Sequence, residues 1–386
     1  MKYLTRHLES VLAKAAKQFP AIVLTGPRRA GKTEILKHCF PNAAYCLLED
    51  PDVLARVKSD PRAFLDEQTP PVILDEIQNA PELLAYVRTR IDAAPRTTGR
   101  WLITGSQEFA LMAGVTESLA GRAAILDLLP LSQTETPKVD MLTGGFPEVI
   151  ARPAARARWY SSYIRTYLER DVRSITQIRD LDTFSRFMAL LASRQGQVLN
   201  KNDLSSSLGV AGPTIGQWLN ILETTGLLAL IQPYFENFGK RLVKSPKIYW
   251  LDTGLVCHLL GIQTRDELER SPFLGPLWEG HIATEILKTQ INRGDRKQLY
   301  YFRDERGLEV DFLVPAGSGR LHLVEAKATR TPLPAMAAPM TALAKAMKTK
   351  VKAAWLVHRP AKTAPPTRAL TPGVSAVNIS ELLEEL

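Results

Sequence analysis

Ala21-Ile22-Val23-Leu24-Thr25-Gly26-Pro27-Arg28-Arg29-Ala30-Gly31-Lys32-Thr33 is the stretch whose reading decides the fold. Its first half is a short apolar run closed by glycine, which reads as a buried strand, and the EILKHC that follows reads as a helix. Gly26 to Thr33 match G-x-x-x-x-G-K-[ST] in the strand–loop–helix context the motif needs. Gly26 and Gly31 let a loop through Pro27, Arg28, Arg29 and Ala30 curl its N–H groups around phosphates. The helix start adds the positive end of its dipole. Lys32 reaches the β- and γ-phosphates and Thr33 offers its hydroxyl to Mg²⁺. The motif therefore implies ATP and Mg²⁺ as ligands.

Downstream, the apolar run Val72-Ile73-Leu74 ends in Asp75 and Glu76. Asp75 is placed to hold the Mg²⁺ shell and Glu76 to polarise the attacking water, which is what hydrolysis requires. A third run ends Ile103-Thr104-Gly105-Ser106-Gln107. There Ser106, with Thr104 as second choice, could contact the γ-phosphate or orient the water. Arg122 precedes the run AAILDLL and could reach the γ-phosphate of a neighbouring subunit, which would make the protein a homo-oligomer. The strand-like runs at 21–26, 43–49, 71–76, 100–106 and 123–131 alternate with helical stretches, which argues for a parallel sheet covered by helices.

In this order, GPRRAGKT, ILDEIQ, TGSQ and SLAGRAAILDLLPLS resemble the bacterial ATPases of the AAA+ superfamily that carry a C-terminal DUF4143 region. The match continues with TYLERDV, with LVKSPKIYWLDTGL and with WEGHIATEIL, EVDFLV and VEAKA, so it covers nearly the whole chain. The resemblance implies an AAA-type nucleotide-binding domain, a winged-helix segment and a nuclease-like C-terminal domain.

Residues 200–223 read as helix, turn, helix. Ile215, Trp218, Leu219 and Leu222 share one face, and Thr214, Gln217 and Asn220 lie on the other, where they could reach base edges. A basic hairpin follows, a wing whose Lys240, Arg241, Lys244 and Lys247 could neutralise phosphates. Further on, Asp311 lies in one strand pattern, with Glu325 and Lys327 in another. Positions i and i+2 of a strand share a face, so two carboxylates and an ammonium would form a Mg²⁺ site beside a phosphate. Glu279, at the start of a helix, could complete it, with Glu285 the weaker candidate. The arrangement resembles the PD-(D/E)xK nuclease core.

At 386 residues the chain predicts two or three domains of roughly 150 residues. Hydrophobic residues at 45% and charged residues at 23% exclude wholesale disorder, a coiled coil and a collagen-like fibre. No apolar run reaches the roughly 18 residues of a membrane span. The charged MKYLTRHLES is unlike a signal peptide, and three cysteines without metal-ligand spacing fit a reducing cytoplasm. Lys plus Arg is 49 against 40 for Asp plus Glu, a formal charge of +9, which favours a polyanionic partner such as DNA.

The sequence thus predicts an α/β protein of three modules: a P-loop AAA+-type parallel-sheet domain over 1–135, a helical and winged-helix module over 136–265, and an α/β PD-(D/E)xK nuclease-like domain over 266–386. Two functions stay open. One is a Mg²⁺-dependent ATPase acting on or near DNA. The other is a nucleotide-gated switch acting through a protein partner, with a degenerate nuclease-like domain.

Overall fold

Ala21–Thr25 forms strand β1 of the computed structural model, which describes residues 3–105, 118–167, 181–234, 244–359 and 369–386. With β2 (Ala44–Leu47), β3 (Val72–Asp75), β4 (Trp101–Thr104) and β5 (Ala123–Asp127) it builds a wholly parallel sheet in the order β2-β3-β4-β1-β5. The three inner strands are buried along their length, as continuous apolar runs in a covered parallel sheet must be. Alternate residues of β1 serve different cores. Ala21 and Val23 pack with Val72, Leu74 and Ile103 beneath the helix Leu83–Ala93. Ile22 and Leu24 pack with Leu8, Leu12, Ile35 and Leu36 on the other face. All carboxyl ends point to one edge, so the segments that follow β1 and β3 share it. Ligands of open α/β sheets bind at that edge.

Past Leu128 the chain is helical: Pro147–Ala151, Arg156–Tyr167, Leu181–Ser193, Lys201–Leu208 and Gly212–Thr224. Asn200 caps the fourth of these through the N–H groups of Asn202 and Asp203, and Gly209 ends it in the left-handed conformation. Ile215, Trp218, Leu219 and Leu222 are buried on one side of the fifth. The strands β6 (Leu228–Pro233) and β7 (Lys247–Trp250) pair antiparallel.

Thr253–Leu259, Arg265–Arg270 and the long helix Leu274–Asn292 follow. Then come β8 (Tyr300–Arg303), β9 (Glu309–Pro315), β10 (Leu321–Ala326), the helix Ala338–Met347, β11 (Val351–Val357), β12 (Ala369–Thr371), β13 (Val374–Val377) and the helix Ile379–Glu385.

These strands do not form a sheet of their own. β6 pairs parallel with β8 through Gln232↔Tyr300 and Pro233↔Tyr301, so one mixed sheet runs β12-β13-β11-β10-β9-β8-β6-β7 across residue 265. One apolar cluster likewise extends from Leu129 to Leu383. Its spine is Leu274–Asn292, which is buried on every side over most of its length. Among the described residues, no helix is long and apolar enough to cross a membrane.

The segment after β5 is clamped between the two bodies. Leu131 donates its N–H to the Gly145 carbonyl at 2.8 Å, Gly145 donates its own to Asp252 at 2.7 Å, and Lys288 Nζ reaches the Leu131 carbonyl at 2.8 Å. A Cβ on Gly145 would stand 2.2 Å from the Leu131 carbonyl oxygen. Gly145→Ala is therefore expected to lower stability by about 1–3 kcal/mol, read as a drop in thermal midpoint. An unchanged midpoint would show that this junction can move apart freely.

Candidate functional site

The loop after β1 depends on close approach. Gly26 has φ 139°, and a Cβ there would stand 2.1 Å from the Leu128 carbonyl oxygen, so only glycine fits. Arg29 and Gly31 also take positive φ, which bends the backbone into a cup before the helix Lys32–Cys39. Lys32 Nζ is buried in this cup and donates to the carbonyls of Gly26 at 2.9 Å and Pro27 at 3.1 Å. A cleft of about 660 Å³ opens over the loop, bounded by Asp75 and Glu76 on one side and by Leu4, Leu131 and Pro147 on the other.

Three hydroxyls converge on Asp75 at the end of β3. Thr33 donates at 2.9 Å, Tyr45 at 2.7 Å, and Thr104 donates to the other carboxylate oxygen. Burial, and then the Asp75 carboxylate, push the Tyr45 phenol well above its usual range, so it stays a donor. Thr104 also accepts the Glu76 N–H at 3.2 Å. Glu76 itself sits in the left-handed region at φ 59°, a strained conformation for glutamate of the kind found at functional sites. Thr104 thus positions the two carboxylates. Ser106, the first choice at that strand end, lies outside the described residues. Tyr45 escaped the sequence reading because nothing local ties it to Asp75.

Arg6 is the other residue that sequence missed. Its buried guanidinium donates to the Ala30 carbonyl at 3.0 Å, to the Leu129 carbonyl at 2.7 Å and to Glu135 at 2.9 Å. Although burial opposes the charge, Arg6 and the N–H groups of Ser132 and His7 hold the Glu135 carboxyl below its usual range. From the cup, Arg29 reaches Glu148 at 3.5 Å. Arg122 is not brought to the loop of its own chain. Its carbonyl accepts the Ala21 N–H at the amino end of β1, the opposite edge of the sheet, and its side chain grips Asp92 with two bonds of 2.6 and 3.2 Å.

The C-terminal sheet does gather Glu279, Asp311, Glu325 and Lys327, and it adds Lys247. This lysine was expected at a DNA-facing surface. That expectation is corrected: its side chain is 3% exposed, and Nζ lies 2.6 Å from Glu309, 3.0 Å from Glu279 and 3.7 Å from Asp311. The reason is its place on β7, which packs against Leu274–Asn292 and turns alternate side chains inward. Tyr249 Oη also bonds Glu279. Asp311 accepts the Ala326 N–H at 2.9 Å, and Lys327 donates to Glu325 at 2.7 Å. Burial, then repulsion from Asp311, raise the carboxyls of Glu279 and Glu325.

The sequence also offered Glu279, Asp311 and Glu325 as a Mg²⁺ site. Among the described residues no three Asp, Glu, His or Cys side chains are grouped to hold a metal, and these carboxylates engage their oxygens with ammonium and N–H groups. Glu285 points elsewhere. Fully buried, it pairs with Lys288 at 2.9 Å and accepts the N–H of Gln133, in the segment after β5, at 2.7 Å.

On the helix Gly212–Thr224, Gln217 and Asn220 are exposed and Thr214 half-buried; Lys244 is also exposed. Lys240 and Arg241 lie outside the described residues.

Three family models tile the chain: "AAA domain" over residues 18–136, "Domain of unknown function (DUF8612)" over 138–266 and "Domain of unknown function (DUF4143)" over 274–382. An uncharacterized protein of Mycobacterium tuberculosis and one of Mycobacterium bovis are each 35% identical over 329 residues, 83% of this chain and 73% of theirs. Among solved structures, a Walker-type ATPase of Pyrococcus abyssi aligns with TM-score 0.44 at 15% identity, over 65% of this chain and 94% of its own. A signal transduction ATPase with numerous domains (STAND) from Pyrococcus horikoshii aligns with TM-score 0.28 at 15% identity, over 74% of this chain and 48% of its own.

Thr104→Val removes the hydroxyl shared by Asp75 and the Glu76 backbone while keeping the shape. The turnover of ATP is expected to fall roughly tenfold, about 1.4 kcal/mol, with KM nearly unchanged. A rise in KM at constant kcat would instead place Thr104 in ground-state binding.

Proposed function

Because the chain belongs to the bacterial AAA-type P-loop ATPases that carry a DUF4143 C-terminal domain, we propose that Gly26 to Thr33 hold ATP with Mg²⁺, that Glu76 activates the attacking water, and that the nucleotide state is read out by the rest of the chain. The observation that carries this reading is the Thr33–Asp75 pair beside Lys32, with Glu76 next in sequence at the same cleft. A hydroxyl and a carboxylate sharing one hydrogen bond are a hard oxygen pair that fits Mg²⁺. When bound, Mg²⁺ supplies neutralisation of charge on the β- and γ-phosphate oxygens.

The chain's own groups account for the rest. The loop's N–H groups and the helix start bind phosphate oxygens. Lys32 exchanges its two carbonyl partners for phosphate. Glu76, held by Thr104 and by Gln78, takes the proton of the water that attacks the terminal phosphorus. Readout follows the buried contacts. Arg6 ties Ala30 of the loop to Leu129 and Glu135, and Leu131 and Gln133 of the same segment meet Lys288 and Glu285 on the C-terminal spine. A change in the loop on phosphate release therefore acts on the helix Leu274–Asn292, which supports a nucleotide-gated switch built on an ATPase.

Lys32→Ala is expected to lose ATP binding, while Glu76→Gln keeps ATP bound and turns over about 10²–10⁴-fold more slowly. Turnover at the wild-type rate in Glu76→Gln would remove its role as base.

DNA as the object of the switch is supported by the solvent-facing polar side of Gly212–Thr224 and by the exposed Lys244. Replacing Gln217, Asn220 and Lys244 together by Ala is expected to weaken DNA binding. The salt slope should fall by about one unit for each phosphate that is no longer neutralised. Unchanged affinity and slope would point to a protein partner instead.

A further inference from the structure

We infer that the carboxylate cluster of the C-terminal sheet takes no divalent cation, because the ammonium of Lys247, delivered by strand β7, stands where that cation would have to be. The inference is independent of the ATPase reading. A nuclease of this design needs carboxylate oxygens from two or three residues turned together toward one Mg²⁺ at about 2.0–2.1 Å. Here the oxygens that converge do so on Lys247 Nζ: Glu309 at 2.6 Å, Glu279 at 3.0 Å and Asp311 at 3.7 Å. Other oxygens of the cluster are engaged as well. Asp311 Oδ2 accepts the Ala326 N–H, Glu325 Oε1 accepts Lys327, and Glu309 Oε2 faces Arg303 at 3.5 Å.

The charge count agrees. Fully ionised, Glu279, Glu309, Asp311 and Glu325 would carry four negative charges, and burial raises two of these carboxyls. Lys247, Lys327 and Arg303 return three. That leaves at most one uncompensated charge for a divalent ion to meet, and the ion would sit within a few ångströms of a buried ammonium, where like charges repel strongly. Lys247 cannot swing away to make room. Its side chain is almost wholly enclosed, and its backbone is fixed by pairing with Ile231 in β6 and by the bridge to Val198. What a metal would do for a nuclease, Lys247 does for the fold: it binds β7, the helix Leu274–Asn292 and β9 at one point. The C-terminal module accordingly has no metal with which to activate water or to stabilise a pentavalent phosphate. It serves as a binding or transmitting module, without cleavage.

The test uses the full-length, nucleotide-free protein with Mn²⁺ as probe, following bound Mn²⁺ by electron paramagnetic resonance and the thermal midpoint. Wild type and Asp311→Asn are expected to show the same bound Mn²⁺ and the same Mn²⁺-induced change in midpoint, because neither holds Mn²⁺ at the cluster. Lys247→Met removes the ammonium at similar volume. It is expected to destabilise the metal-free protein and to bind Mn²⁺ about tenfold or more tightly than wild type, a gain that disappears again in Lys247→Met/Asp311→Asn. Tight Mn²⁺ binding by wild type that Asp311→Asn abolishes would overturn the inference, as would Mn²⁺-dependent DNA cleavage that Asp311→Asn abolishes. So would a Lys247→Met protein with the wild-type circular dichroism spectrum and no gain in Mn²⁺ affinity. Should Lys247→Met not fold, the comparison of wild type with Asp311→Asn decides by itself.

Discussion

A charge removed from water must find an opposite charge or a set of hydrogen bonds inside the protein, or its burial costs more than the fold can supply. Much of this molecule's tertiary arrangement can be followed through that constraint. Arg6 is buried against Glu135 and two carbonyls, Lys288 against Glu285 and the Leu131 carbonyl, and Lys247 against three carboxylates. Asp252 is buried against the Gly145 and Leu255 N–H groups and the Tyr160 hydroxyl. Each of these sets joins segments far apart in sequence, and each lies where two parts of the chain meet. Apolar burial makes the cores; these pairings specify how the cores are placed against one another.

The same constraint explains the character of the nucleotide cleft. Asp75 is almost completely buried, and three hydroxyls donate to it. Hydroxyls yield their bonds at lower cost than a guanidinium or ammonium would, since hydrogen bonds between neutral and charged groups are easily exchanged for a metal–oxygen bond. The cluster around Lys247 has the opposite chemistry. There the compensation is an ammonium whose removal would leave several carboxylates facing one another. One acidic site is satisfied by hydroxyls, and the other already contains a cation.

How far each site was legible in sequence follows from how local its determinants are. The loop from Gly26 to Thr33 and the Asp75-Glu76 strand end are written in consecutive residues, because backbone geometry and strand–loop–helix order fix what they can do. The parallel sheet was legible for the same reason: β1, β3 and β4 are unbroken apolar runs with glycine, proline or acidic residues at their ends. Lys247 was not legible. In sequence it is one more cation in a basic hairpin. Only the packing of β7 on Leu274–Asn292 turns it toward Glu279, thirty-two positions away. Arg6 is equally silent, since its partners Ala30, Leu129 and Glu135 come from three different segments. Glu279, Asp311, Glu325 and Lys327 meet as their strand and helix positions suggest, but their chemistry depends on the neighbour that sequence placed at the surface.

The parallel pairing of β6 with β8 bears on the ancestry of such proteins. A chain assembled by fusing ready-made parts would usually keep its seams in exposed linkers. Here the ladder runs through the seam, with two strands from one side of residue 265 completing a sheet whose other six come from the far side. A gene rearrangement that exchanged only the residues beyond this seam would leave β6 with its outer edge unpaired and β8 as a bare, adhesive edge. An exchange that keeps this sheet whole would carry β6 and β7 along with the strands beyond them.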